Sequence, residues 1–106
     1  MSTDVVLCPV SEIPDGAVKH FEIMGYDIAA ANVGGSFFAL DAMCTYQWAD
    51  LTEGHVDKER MVLVCSQCKG SWDLKTGQPK DPPAQFPLTV YEIAAVGEDL
   101  ILTFTY

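Results

Sequence analysis

The chain has 106 residues, with 6 basic against 15 acidic side chains, a formal net charge of −9 and an apolar fraction of 49%. That length suits one folded unit, residues 1–106, with a modest core, and the apolar content excludes a disordered tail. The acid excess argues against nucleic-acid backbones and anionic membrane surfaces, while it allows steering toward a basic protein partner.

The opening "MSTDVVLCPV" has neither the basic start nor the long apolar core of a secretory signal. No apolar run approaches the roughly 20 residues that span a bilayer. The expectation is a cytoplasmic protein, where four cysteines read as thiols or metal ligands ahead of structural disulfides.

In chain order, Cys8 falls in a first strand as a small core hydrophobe. Residues 17–24 and 26–33 read as strands joined at Gly25, and His20 sits in that pattern as a surface or half-buried side chain. Gly34-Gly35 supplies the positive φ angles of a tight hairpin turn leading into residues 36–40. Residues 43–59 are polar and acidic, with Asp50, Glu53, Asp57 and Glu59 as a solvated face, His55 solvated and Trp48 as a shield or contact. Residues 60–65, "RMVLVC", form a short buried strand, and 69–77 form its hairpin partner, closed by Thr76-Gly77, with Trp72 in the core. Residues 77–87 carry four of the six prolines and are expected to be an irregular loop, because proline cannot donate to a strand ladder. The last pair, 87–96 and 99–106, turns at Gly97-Glu98. The fold class is therefore all-β and antiparallel, a β-sandwich carrying an inserted loop-rich subdomain at about residues 43–86. No helix longer than three turns is expected in 17–42.

The chemistry-bearing residues lie in that insertion. Cys44 opens "CTYQWADLTEGHV"; Cys65 and Cys68, 21 positions on from Cys44, open "CSQCKGSWDLKTG". Cys65-x-x-Cys68 has the spacing of half a zinc or rubredoxin-type knuckle. A thioredoxin-like redox dithiol is the weakest option, since Gly70-Ser71-Trp72 reads as turn and strand where that chemistry needs a helix N-terminus. No Ser-His-Asp set, phosphate-cradling glycine loop or catalytic carboxylate pair can be argued, so the chain reads as a non-catalytic component.

Two cysteine-led loops, each entered from an apolar strand, give a recognisable pattern together with "VSEIPDGAVKHFEI", "FFALDAMCT", "LTEGHV" and "KDPPAQFPLTVYEI". The chain resembles, over nearly its whole length, the Rieske-type [2Fe-2S] ferredoxins, including the small ferredoxins of aromatic-ring dioxygenases and the small subunit of assimilatory nitrite reductase. The resemblance implies a one-electron carrier between a flavin reductase and a terminal oxygenase. In that family one loop reads Cys-x-His and the other Cys-x-x-His, with the cysteines on the inner iron and the histidines on the outer iron. Here Cys44 and Cys65 match the cysteine positions, Tyr46 stands at the first histidine position and Cys68 at the second. Three readings follow. Cys44, Cys65 and Cys68 hold a [2Fe-2S] cluster with Tyr46 or His55 as fourth ligand. Alternatively the three thiolates and His55 hold a zinc ion. Otherwise no metal binds, Tyr46 fills the space, the cysteines stay reduced or pair with one another, and the chain is a cluster-free accessory subunit of a larger redox enzyme.

Overall fold

The computed structural model describes residues 2–43, 50–67, 69–82, 84 and 86–105, without the side chain of Thr105. Among the described residues, ten short strands form two antiparallel sheets: β1 (Ser2–Pro9), β2 (Val18–Ile23), β3 (Tyr26–Val33), β4 (Ser36–Asp41), β5 (His55–Asp57), β6 (Val62–Val64), β7 (Ser71–Asp73), β8 (Pro79–Asp81), β9 (Val90–Val96) and β10 (Asp99–Thr105). The larger sheet has the order β1-β10-β9-β4-β3-β2, and the smaller β5-β6-β7-β8. Among the described residues no helix is long and apolar enough to cross a membrane.

The turns follow from local chemistry. Gly34 and Gly35 take φ of 61° and 91°, as a two-residue primed turn requires. The β2–β3 turn is made the same way by Met24 and Gly25, so a methionine carries the left-handed strain there. The β9–β10 hairpin closes at Gly97-Glu98.

β3 holds the molecule together, because it is buried on both faces. Ile28 and Ala30 face the core of the larger sheet, where Leu100, Leu102, Phe104 and Ile13 pack. Ala29 and Ala31 face the other way, into a cluster with Leu40, Leu51, Leu63, Cys65, Trp72, Leu74 and Leu88. This explains the run of three alanines: a strand covered on two sides reads as continuously apolar. The small side chains of Ala29 and Ala31 leave room for the fully buried Trp72 beneath. Cys8 is buried as expected.

One expectation needs correction. Residues 77–87 are not irregular throughout, since Pro79–Asp81 forms β8. It pairs with β7 through Ser71↔Asp81 and Trp72↔Pro79, with a register shift between Ser71 and Trp72. β8 is the edge of its sheet, where a proline's missing N–H costs no ladder bond. Much of the expected loop-rich insertion is thus a small sheet of three-residue strands.

Candidate metal centre

The second cysteine loop is the turn between β6 and β7. Cys65 follows β6 directly; its N–H donates to the Gly70 carbonyl at 2.9 Å, and its own carbonyl accepts from Lys69 N–H at 3.1 Å. Lys69 completes the turn in the left-handed region, at φ 65°. Cys65 is fully buried and packs with Ala42, Leu51, Leu63 and Trp72.

The proline-rich segment lies against this turn. A Cβ added at Gly70 would stand 3.0 Å from the Ala84 nitrogen, so a side chain at position 70 would press on that backbone. The Trp72 indole N–H donates to the Phe86 carbonyl at 2.9 Å, and the Ser71 hydroxyl donates to Asp81 Oδ2 at 2.5 Å. Arg60 Nη1 reaches the same carboxylate oxygen at 2.7 Å. Arg60, joined by Ser71, holds the Asp81 carboxyl below its usual range.

The first cysteine loop stands on a paired neck. Met43 and Asp50 form an isolated antiparallel bridge, and Leu51 N–H donates to the Ala42 carbonyl at 2.6 Å. Ala42 N–H in turn donates to the Asp27 carbonyl at 2.9 Å. Asp50 caps the short 3-10 turn Leu51–Glu53, accepting from Thr52 N–H at 2.9 Å and Thr52 Oγ1 at 2.6 Å. Just beyond, a Cβ at Gly54 would lie 1.8 Å from the Val64 carbonyl oxygen. The neck therefore runs directly against the strand that leads into Cys65, and Leu51 and Cys65 share one buried cluster.

His20 on β2 joins this neck. Its Nδ1 lies 2.9 Å from Asp50 Oδ2 and its Nε2 lies 2.9 Å from Asp27 Oδ1. Ionised carboxylates only accept, so both ring nitrogens donate, which requires the imidazolium. The bond to Asp27 raises the His20 pKa; partial burial works against it, and Asp50 adds its own bond and charge. Burial pushes the Asp50 carboxyl up, but Thr52 and His20 outweigh it and hold the group below its ordinary value.

Of the candidate ligands, the structure places Cys65 in the buried turn described above. Cys44, Tyr46 and Cys68 lie outside the described residues, as does Trp48. His55 is exposed on β5, paired in register with Val64. Among the described residues no group of three or more His, Cys, Asp or Glu side chains could hold a metal ion. The chemistry of Cys65 fits an iron-sulfur group: it is a buried cysteine in a closed turn that could give one thiolate, and the adjoining neck leads into the segment that contains Cys44. Such clusters are held by thiolates, with other donors replacing them on one iron. The sequence reading missed the part played by His20. Asp50-x-x-Glu53 is a legible capping pattern, but nothing in the sequence links it to a histidine 30 positions away.

Residues 3–92 match the model of the family described as "Rieske [2Fe-2S] domain". The biphenyl dioxygenase ferredoxin subunit of Pseudomonas sp. (strain KKS102) is 34% identical over 99 residues, 92% of this chain and 89% of that protein. The Sphingomonas yanoikuyae B1 ferredoxin superposes with a TM-score of 0.88 at 28% identity, covering 97% of this chain and 100% of the other. A chain in a complex of reduced oxygenase and oxidised ferredoxin from carbazole 1,9a-dioxygenase gives 0.86 at 27% identity, covering 93% and 91%. With both its fold and nearly its whole sequence accounted for in this way, the chain belongs to the Rieske [2Fe-2S] domain family.

Proposed function

We propose that this chain is a small Rieske-type ferredoxin, a one-electron carrier from a flavin reductase to a terminal oxygenase. The support is the family match over residues 3–92 joined to one geometric observation. Cys65 is buried in a closed turn packed against the neck of the segment that contains Cys44. Cys44 and Cys65 would hold the inner iron, and Cys68 with Tyr46 the outer iron. The bound cluster supplies reversible one-electron chemistry. The protein supplies a rigid, dry inner side to the site, built from Leu51, Leu63 and Trp72. The oxygenase partner is proposed from the relatives, which are dioxygenase ferredoxin subunits, and from the structural neighbour found with an oxygenase. The net charge of −9 favours a partner that presents a basic face. The thiol-rich site fits the reducing cytoplasm.

The test is anaerobic purification with iron and acid-labile sulfide assays and a visible spectrum. The expected outcome is about two irons and two sulfides per chain, as the cluster type requires. A colourless chain that takes up no iron on anaerobic reconstitution would overturn the reading and leave a cluster-free subunit.

A further inference from the structure

The neck of the first cysteine loop is joined to the larger sheet by a hydrogen-bonded hub at Asp27 and His20. Asp27, at the start of β3, accepts from Ala42 N–H with its backbone carbonyl and from His20 with its carboxylate. The second ring nitrogen of His20 holds Asp50, which is bridged to Met43 across the neck and caps the turn that follows. One side chain thus spans both ends of the arrangement, with the sheet on one side and the returning strand of the loop on the other.

We propose that His20, as an imidazolium bonded to Asp27 and Asp50, is the positioning residue that sets the neck of the first cysteine loop and releases it on losing its proton. The proposal deepens the reading above, because residues 44–49 carry two of the candidate ligands, Cys44 and Tyr46. The charged groups facing the ring are Asp27 from β3 and Asp50 from the neck. A neutral imidazole carries one N–H, so deprotonation breaks one of the two bonds and sets a ring lone pair against a carboxylate. The sign follows from the raised folded-state pKa. The clamp is complete below the ordinary histidine value of about 6.5 and is lost as pH rises through the higher folded value. Such a device would make the neck at Ala42, Met43, Asp50 and Leu51 respond to pH.

The test is amide hydrogen exchange on the whole chain between about pH 5.5 and 8.5, the interval in which a histidine titrates. Protection factors, corrected for the intrinsic rate, are read at Ala42 and Leu51, with Ile101 and Leu102 in β10 as internal reference. In the wild type, protection at Ala42 and Leu51 should fall roughly fivefold above the His20 midpoint, the scale of two part-exposed ion pairs, while β10 stays level. Side-chain NMR should show both ring nitrogens protonated below that midpoint. In His20→Gln the neck should be weakly protected at every pH, with no step. A wild-type profile with no step at the neck would overturn the proposal, and so would a step that persists in His20→Gln. The readout needs no iron, so the iron and sulfide assay fails or succeeds independently of it.

Discussion

On the proposed ligand set Cys68 takes the place of an imidazole on the outer iron, and this one side chain should then set the electronic character of the site. A thiolate adds negative charge that a neutral ring does not. His-ligated centres reach about +300 mV, whereas all-thiolate plant-type clusters sit near roughly −400 mV. Three thiolates should put this chain toward the lower end, and Cys68→His should raise the potential by on the order of 100 mV or more. It should also add a dependence on pH near neutrality, because a bound imidazole can titrate there. Protein-film voltammetry on both forms checks this, and equal potentials would remove Cys68 from the ligand set. Gly54 is decisive in a different way. A methyl group there would meet the Val64 carbonyl at 1.8 Å, and that backbone belongs to the strand leading into Cys65. Gly54→Ala should cost about 3 kcal/mol or more, measured by urea denaturation of the wild type and variant side by side.

Among the elements, the proline-rich segment is tied closely to the second cysteine turn. It is held to the second cysteine turn by the indole of Trp72, the hydroxyl of Ser71 and the close approach of Ala84 to Gly70. Trp72→Phe keeps an aromatic ring but removes the donor to the Phe86 carbonyl and leaves unfilled volume beside Ala29 and Ala31. The expected loss is about 2 kcal/mol, from one buried hydrogen bond and a small cavity. Limited proteolysis should then show faster cutting within residues 82–88. Unchanged cutting would mean that the Trp72 donor bond is not needed to hold the segment.

At the scale of the whole molecule, charge sets the pH range of stability. Arg60 with Ser71 lowers the Asp81 carboxyl, Lys58 with the Gly34 amide lowers Asp15, and Thr52 with His20 lowers Asp50 against its burial. A lowered carboxyl contributes stability above its unfolded value of about 3.9, and that contribution is lost as pH falls through the folded value. His20 has the opposite sign, contributing fully below about 6.5 and less above its raised folded value. Stability should therefore plateau between about pH 4 and 6.5 and decline on both sides. Self-repulsion at a net charge of −9 steepens the alkaline decline, and added salt should soften it. Urea midpoints across the pH range check this; a midpoint still rising above pH 7 would contradict the assignment to His20.

The local features of this fold were legible because each is fixed within a few residues. Gly34-Gly35 and Gly97-Glu98 dictate hairpins by backbone conformation alone, and the short β-branched runs exclude long helices. The spacing of Cys44, Cys65 and Cys68, with the aromatic and proline segments around them, was enough to indicate the family. Other features depend on which segments come together in space. Pro79 becomes a strand residue because β8 lies at a sheet edge, where its missing N–H is harmless. The three alanines of β3 look like a weak strand until the strand is seen to be covered on both faces, Ala29 and Ala31 on one and Ala30 on the other. His20 reads as an ordinary surface histidine, since its partners lie 7 and 30 positions away on other elements. Sequence periodicity reports which face of a strand is buried, but an ion pair across strands exists only once register and packing have fixed both ends.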